Sequence, residues 1–405
     1  MGVAGAEPQL SVNDGQSTYG NLTAVAESPL DARVLYTGAD DGRLHVTRDG
    51  GATWTDVTGN VPDLPRYTYV TRLVSSHGAP GTVYAAFDGH RSDDFRPYVY
   101  VSEDFGRNWR SIADGLPTTS INALTQHPRR ADLLFVGNEL GVWVSIDGGD
   151  LWTRLENGMP TVPVDDLVIH PRDNDLVVGT HGRGIWIMDD ITPLEELTPG
   201  VLAASAHLFG ARRATSYNEY RPQGWTPGIW EASNPPAGAR LRYWVAQDAD
   251  SVRLTVTDPL GTELRSLTGP GTRGLHEVVW DLRLVEDDAD GDAMDPGPRV
   301  LPGVYLVRME AGDQVAEGEL VVRFDPRVAV SDAVLTARHD AMIDSYRLSG
   351  SVEKAEDALE GAGERLREIR TLLREEGADE ALADETARLL EEVDSLEARL
   401  DRASD

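Results

Sequence analysis

Short apolar runs separated by polar turns fill the first half of the chain, and they recur in four similar units. Gly, Pro, Asp and Asn are frequent between the runs, where the chain must reverse its direction. Short strands divided by evenly spaced turns are typical of repeated β-sheet folds. The pattern predicts strands at 22–26, 34–37 and 44–46 in the first unit, 70–74, 83–86 and 98–101 in the second, 121–125, 133–136 and 142–144 in the third, and 166–169, 176–178 and 185–187 in the fourth.

An eight-residue motif follows the third run in the first three units, at 47–54, 102–109 and 145–152. Its template is Ser/Thr-x-Asp-x-Gly-x-x-Trp. The Asp carboxylate can accept backbone N–H bonds across a tight turn, and the Gly permits a positive φ where the chain reverses. The Trp can bury a large ring against a neighbouring unit. The motif therefore predicts β-hairpins in which six residues have structural roles: Asp49, Trp54, Asp104, Trp109, Asp147 and Trp152.

This motif is the Asp-box, and the chain resembles the BNR-repeat β-propellers, a group that includes sialidases and sortilin-type receptors. The fourth unit keeps only Asp190 of the motif. Residues 179–186, followed by Asp189 and Asp190, resemble the last blade of long sortilin-like proteins named as glycosyl hydrolases. The resemblance implies about four blades over 21–192, as the C-terminal part of a larger ring. A second copy of the chain or a companion chain would then supply further blades.

Outside the repeats, the sequence predicts an irregular lead-in at 1–20, a linker at 193–238, a β-domain at 239–326 and helices at 331–405. The β-domain has apolar runs at 241–246, 251–257, 276–281, 303–310 and 314–323. Residues 301–308 resemble the Ig-like module of flagellar hook-capping proteins, which implies a small β-sandwich. A break near Gly377 predicts a helical hairpin. The expected fold class is mainly β: propeller blades, an Ig-like sandwich and a C-terminal α-helical hairpin.

Acidic residues far outnumber basic ones, with 68 Asp and Glu against 37 Lys and Arg and a net charge of −31. Lys354 is the only lysine. An acidic surface almost without lysine predicts adaptation to high salt, where charge keeps a protein soluble. It argues against nucleic acid and anionic membranes as partners, because both need a basic surface.

The chain contains no Cys, which excludes disulfides and thiolate-bound metals. Its first ten residues lack the basic and apolar regions of a signal peptide, and no apolar run reaches the length of a membrane span. We therefore expect no membrane insertion and a cytoplasmic location by default. The location would be extracytoplasmic if the chain belongs to a longer exported protein.

The turn between the second and third strands of each unit carries the candidate binding residues. In a four-stranded antiparallel blade, this turn lies on the face opposite the motif. Four equivalent loops would present acids, His and Arg to one rim, as a polar binding site requires. The alternative is that these loop tips are polar only because they are exposed. The rim residues are Asp41, Arg43, Asp88, His90, Arg91, Glu139, His181 and Arg183.

These residues favour a non-catalytic binding module for a protein, peptide or glycan. The first alternative is a glycoside hydrolase of the sialidase type. The resemblance implies for such an enzyme an Arg triad, a Tyr nucleophile with a Glu partner and an Asp acid/base. Arg43, Arg91 and Arg183 could form a triad, but no Tyr–Glu pair falls into register with them, so no catalytic residue is assigned. The second alternative is a structural scaffold.

One segment resembles a metal site. Residues 286–292 place acids at alternate positions before a Gly, as in the first half of a calcium-binding loop. The twelfth position is Gly297 rather than the closing Glu. A solvated acidic loop is therefore the favoured interpretation, and we expect neither a metal nor a cofactor.

Overall fold

The computed structural model describes residues 20–156, 158–217, 236–284, 297–375 and 380–404. The fold is mainly β, with four small sheets, a two-sheet sandwich and a C-terminal helical hairpin. Apart from Gly20, the predicted lead-in at 1–20 lies outside the described residues. The acidic segment at 286–292 also lies outside them.

The four small sheets are antiparallel, follow one another along the chain, and are here called blades 1 to 4. The first strand of each blade packs against the first strand of the next, so these strands form the inner edge of an arc. The predicted strands are present, extended by one or two residues. The bounds are β1 (Leu22–Glu27), β2 (Leu35–Ala39), β3 (Leu44–Thr47) and β4 (Thr55–Asp56) in blade 1; β5 (Tyr69–Ser75), β6 (Val83–Asp88), β7 (Tyr98–Ser102) and β8 (Arg110–Ser111) in blade 2; β9 (Ile121–Gln126), β10 (Leu134–Asn138), β11 (Gly141–Ser145) and β12 (Thr153–Leu155) in blade 3; and β13 (Val164–Ile169), β14 (Leu176–Thr180) and β15 (Ile185–Met188) in blade 4.

The motif forms the turn between the third and fourth strands of blades 1 to 3. In blade 1, Asp49 accepts hydrogen bonds from the backbone N–H of Thr53 (2.9 Å) and from the Thr47 hydroxyl (2.7 Å). The Thr47 hydroxyl in turn accepts from the N–H of Gly51 (2.9 Å). Blades 2 and 3 repeat these bonds through Asp104 and Asp147. The hydrogen bonds from Thr53 lower the pKa of Asp49 to about 2, because they stabilise its charged form.

Apolar clusters lie between successive blades, one between blades 1 and 2, one between 2 and 3, and one between 3 and 4. Trp109 and Trp152 belong to the first and second of these clusters. Within the described residues, no such cluster joins blade 4 to blade 1. The four blades therefore form an open arc.

Blade 4 differs from the others because it has three strands. After β15 the chain turns into helix α1 (Thr192–Glu196), and Leu194 packs into the cluster between blades 3 and 4. Arg130 of blade 3 holds this helix by donating to the carbonyl oxygens of Leu194, Glu195 and Leu197 at 2.8–3.0 Å. The edge strand β15 is left without a fourth strand.

A two-sheet sandwich follows, preceded by helix α2 (Pro199–Ala203). One sheet has the order β16-β18-β21 and the other β17-β23-β22-β19-β20, and a large apolar cluster that includes Trp280 and Tyr243 fills the space between them. Two of these strands, β16 and β17, lie in the range expected to be a linker. The bounds are β16 (Ala206–Leu208), β17 (Ala214–Ser216), β18 (Ala239–Val245), β19 (Val252–Thr257), β20 (Glu263–Gly269), β21 (Gly274–Trp280), β22 (Gly303–Ala311) and β23 (Gln314–Phe324).

A buried ion pair joins blade 4 to the sandwich. Arg242 of β18 donates to the Asp190 carboxylate at 2.6 Å, and both residues are almost fully buried. Arg242 also donates to Glu277 at 2.7 Å and to the carbonyl oxygen of Asp190. The one motif residue that blade 4 keeps therefore anchors the next part of the chain.

Two long helices end the chain, α3 (Asp332–Glu375) and α4 (Glu380–Ser404), and they pack against each other as the predicted hairpin. Leu390 and Val393 of α4 are buried. The first turns of α3 contact the sandwich, where the His339 ring donates to the carbonyl oxygen of Arg299 at 2.9 Å. No helix in the described part of the chain is long and apolar enough to cross a bilayer.

Candidate functional site

The loops between the second and third strands lie on one face of the arc. In blades 1 to 3, the motif turn bonds to the turn between strands one and two, as in Gly50 N–H to Arg33 O (2.9 Å), Phe105 N–H to Gly81 O (2.9 Å) and Gly148 N–H to Asp132 O (2.8 Å). Those two turns therefore share a face. Because neighbouring strands are antiparallel, the remaining loop lies at the opposite end of each blade.

Two of the eight predicted rim residues are buried and hold their own loops. Asp41 accepts a hydrogen bond from the N–H of Arg43 (3.2 Å), and Asp88 accepts one from the N–H of His90 (2.9 Å). Asn138 bonds the N–H of Leu140 in blade 3 in the same way (2.9 Å). These short polar side chains stabilise the turns and present little surface to a ligand.

The other six rim residues reach solvent, and their side-chain partners lie in their own blades. Arg43 lies near Asp41 and Asp56 (3.6 and 3.5 Å), and His90 bonds Asp88. Arg91 stacks on the Tyr69 ring with 4.7 Å between the guanidinium carbon and the ring centroid. The remaining pairs are Glu139 with Asn122 (3.0 Å) and His181 with Asp165 (3.2 Å), while the Arg183 side chain is exposed.

A contact between non-adjacent blades joins the rim ends of blades 2 and 4. Arg72 of blade 2 donates to the carbonyl oxygen of Asp165 (3.0 Å) and to the Asp166 carboxylate (2.8 Å) of blade 4. The loop of blade 4 folds over the same end of β13, because the N–H of His181 donates to Pro163 O at 2.9 Å. We call the group Arg72, Arg91, Asp165, Asp166, His181 and Arg183 the blade 2–4 mouth.

Sequence reasoning missed Arg72, Asp165 and Asp166. Their only signal in the sequence was a charged residue within an otherwise apolar inner strand. Arg72 lies two positions after Val70 in β5, and Asp165 and Asp166 come directly after Val164 in β13. A β-bulge falls at this point in both strands. The bulge re-aims the side chains that follow it, and only the curvature of the arc brings the strands of blades 2 and 4 together.

The charges of the blade 2–4 mouth are unevenly neutralised. Arg72 is paired with Asp166, and His181 with Asp165. Within the ranges that the structure describes, no carboxylate lies within 4.0 Å of the guanidinium of Arg91 or Arg183. An Arg without an internal partner can form a bidentate pair with a carboxylate, sulfate or phosphate. The arrangement is therefore suited to holding an anionic group.

A Tyr–carboxylate–Arg cluster lies in the long loop of blade 2, where it would be of interest for a sialidase mechanism. The Tyr98 hydroxyl donates to Asp94 (2.7 Å), which also receives two bonds from Arg96 (2.9 and 2.7 Å). Burial and the hydrogen bond to Asp94 raise the pKa of Tyr98, so the phenolate is disfavoured. Tyr98 is also only 5% exposed, and both oxygens of its carboxylate partner are held by Arg96. The cluster is better explained as a brace for its loop.

A polar cavity of about 500 Å³ lies between blade 4 and the sandwich. Its arginines are largely neutralised by the protein, since Arg212 pairs with Asp173 and Asp175, and Arg240 with Asp189. It therefore belongs to the ionic junction around Asp190. No group of three or more His, Asp or Glu side chains among the described residues is arranged to hold a metal ion.

Comparison with known proteins found structural likeness but no matching sequence. No protein-family model matches the chain, and no curated protein matches it. Among solved structures, an ancestral GH74 enzyme is similar with a TM-score of 0.31 and 13% sequence identity. The alignment covers 75% of this chain and 42% of that chain, so the chain spans less than half of that enzyme's length.

Proposed function

We propose that the protein is a non-catalytic binding module of the Asp-box propeller type, and that it binds an anionic group of a protein, peptide or glycan at the blade 2–4 mouth. The supporting observation is the contact of Arg72 with Asp165 and Asp166. It draws together the two blades whose loops carry Arg91 and Arg183, the rim arginines without a carboxylate partner in the described residues.

The net charge of the chain predicts how an anionic ligand must be held and how its capture depends on salt. With a net charge of −31, the protein repels anions at long range when salt is low. An anionic ligand must therefore be held by short-range, directed bonds, which Arg provides better than Lys. High salt screens the long-range repulsion and weakens such a close pair less. We expect ligand capture to be retained, or improved, as salt rises.

A glycoside hydrolase remains the alternative, supported by the resemblance of the motifs to sialidase repeats. It needs an accessible Tyr with a carboxylate partner beside an Arg cluster. Tyr98 has a carboxylate partner, but the Tyr98 side chain is buried and Asp94 is paired with Arg96 of the same loop. Binding without catalysis accounts for Arg91 and Arg183, and it does not require an accessible Tyr–carboxylate pair.

The test uses a panel of oligosaccharides carrying sialic or uronic acids, their neutral counterparts, and peptides rich in Asp and Glu, all in molar KCl. We expect the purified chain to bind acidic members and to ignore their neutral counterparts. Arg91→Gln and Arg183→Gln should each weaken capture about tenfold, as expected for a lost charge-assisted pair of about 1.4 kcal/mol. Equal binding of neutral and acidic members would contradict the proposal.

Arg33→Gln is the matched control, because Arg33 is exposed, pairs with Asp31 at 2.9 Å and lies on the opposite face of the arc. It should leave affinity unchanged. The same incubations should be analysed for released monosaccharide. Release by the original chain that disappears in the Arg183→Gln variant would favour the hydrolase.

A further inference from the structure

The interior blade contacts follow one rule. Every inner strand has an apolar residue beside a β-bulge at its first or second position, namely Leu22, Val70, Ile121 and Val164. In two of the three interfaces, this residue packs on a glycine in the second strand of the preceding blade. Val70 lies against Gly38, and Val164 lies against Gly137 so closely that an added Cβ would overlap it. The glycine is therefore a socket for the bulged residue of the next blade.

The two ends of the arc carry the unmatched halves of this contact. Gly179 of blade 4 has the register of Gly38 and Gly137, but no blade among the described residues packs on it. A Cβ added there would meet only atoms of Asp166 in its own blade, at 3.6 Å or more. Beside Gly179 on the same face, Ile185 and Ile187 are 73% and 58% exposed. At the other end, Leu22 of blade 1 is 64% exposed.

We propose that a second copy of this chain completes both contacts. Leu22 of one copy packs on Gly179 of the other, the reverse contact forms at the same time, and the two arcs close into one ring. Each contact joins two different surfaces, blade 1 of one copy and blade 4 of the other. A two-fold axis between the copies forms this contact twice, so the assembly closes as a dimer. The dimer contact also covers an apolar face of blade 4. Contiguous exposed apolar surface of this kind commonly marks an interaction site. The face is formed by Val168, Val177, Ile185 and Ile187.

The exposure of Trp54 distinguishes a second copy from a complete four-stranded blade of another protein at the open edge of blade 1. In blades 2 and 3, motif glycines Gly106 and Gly149 pack on Val57 and Ile112, which follow the fourth strand of the preceding blade. Blade 4 has no fourth strand to offer. The corresponding space at Gly51 therefore stays open in a ring of two copies, and Trp54, now 41% exposed, remains accessible. A complete foreign blade would bury this indole.

The assembly is independent of the ligand proposed above and depends on salt. Two copies with a net charge of −31 each repel one another, and this repulsion is screened only at high ionic strength. The closed ring should therefore form in molar KCl and dissociate on dialysis to low salt, with each arc still folded because its three interior clusters are intact.

The test is the particle mass in molar KCl, measured by light scattering behind size exclusion. The original chain should have twice its mass of 44.1 kDa. Leu22→Asp and Gly179→Arg should each give a monomer with an unchanged far-UV spectrum, because Leu22 is 64% exposed and a Cβ at Gly179 would meet only Asp166, at 3.6 Å or more. Leu260→Asp, at a 92% exposed position in the sandwich, is the control and should stay dimeric.

Mixing the two monomeric variants sharpens the test. The Leu22→Asp chain keeps a normal Gly179, and the Gly179→Arg chain keeps a normal Leu22, so one contact of the mixed dimer is unaltered. The other contact places Asp against Arg, so the mixture should recover a dimer. Acrylamide quenching, compared with a Trp54→Phe variant, should show Trp54 accessible in the original dimer. A monomer at all concentrations, a dimer insensitive to both substitutions, a concentration-dependent polymer, or a shielded Trp54 would overturn the proposal.

Discussion

Equivalent residues behave differently inside the arc and at its ends. The motif tryptophans have the same position in their hairpins, yet Trp109 and Trp152 are 8% and 5% exposed while Trp54 is 41% exposed. The hydrogen bonds of the three motif turns are nevertheless the same. The local sequence therefore determines the turn, and the neighbouring blade determines whether the indole contributes packing energy.

Truncating the tryptophan should show the largest difference between interior and end. Trp152 packs between blades 2 and 3 and donates from its ring nitrogen to Ile112 O at 2.7 Å. We expect Trp152→Ala to lower the free energy of unfolding by about 3–5 kcal/mol and Trp54→Ala to change it by less than about 1 kcal/mol. Urea unfolding of monomer in low salt measures both, and similar losses would contradict an open arc.

The motif aspartates provide the second comparison. Asp190 is buried against Arg242, whereas Asp147 is exposed and bonds only its own turn. Asp190→Asn leaves a buried guanidinium partly uncompensated and should lower the free energy of unfolding by about 2–3 kcal/mol. Asp147→Asn retains an acceptor oxygen and should cost less than about 1 kcal/mol. The same urea experiment separates them, and equal effects would contradict an anchoring role for Asp190.

The second-strand glycines provide a third comparison. A Cβ at Gly137 would lie 2.5 Å from Val164, whereas one at Gly179 would meet nothing closer than 3.6 Å. Gly137→Ala should therefore destabilise the monomer by about 1–3 kcal/mol through overpacking. Gly179→Ala should be neutral or slightly stabilising, because alanine reduces the entropy of the unfolded chain. Thermal melts in low salt test the pair, and loss of stability in Gly179→Ala would show that its socket is already occupied.

The smallest effect concerns pH. His127 of blade 3 is fully buried, its Nδ1 accepts from the N–H groups of Arg129 and Arg130 (both 3.2 Å), and its Nε2 bonds Asn174 (2.8 Å). Burial lowers the pKa of His127 below its usual range, because the charged ring loses solvation. The unfolded chain therefore binds the proton more readily, and stability falls by up to about 1.4 kcal/mol per pH unit as the pH drops below about 6.5.

Substitution by serine isolates this pH dependence. Ser28 and Ser76 occupy the same turn position in blades 1 and 2 and accept the equivalent N–H bonds. In His127→Ser, the slope of unfolding free energy against pH between about 6.5 and 5 should become shallower. His170→Ser, at the half-exposed equivalent in blade 4, is the control. An unchanged slope in His127→Ser would show that this imidazole does not cause the loss.

Much of the fold could be predicted because its signals are local. Alternating apolar runs located the first three strands of each blade, and the Asp and Gly of each motif specified the hairpin that leads to the fourth. The strands β16 and β17 were not predicted, because three-residue segments carry no period and acquire strand geometry only by pairing with β18 and β23. Strand β20 was also missed, since polar residues interrupt its apolar positions.

The candidate site was less accessible to prediction. The register correctly placed the rim loops on one face, because that follows from antiparallel pairing alone. It did not distinguish Asp88, which is buried and holds a turn, from Arg91, which faces solvent on the Tyr69 ring. It also missed Arg72, whose partner Asp166 lies 94 positions away along the chain.

The sequence by itself determined the repeat, the motif turns, the strand faces and the acidic surface, because each depends on residues close together or on a sum over the whole chain. Only the tertiary structure decided that the arc is open, that Asp190 anchors the sandwich through Arg242, and which arginines of the blade 2–4 mouth lack an internal carboxylate. Those features depend on the rotation between successive blades. Side-chain packing between the sheets sets this rotation, and it cannot be predicted from the local sequence pattern.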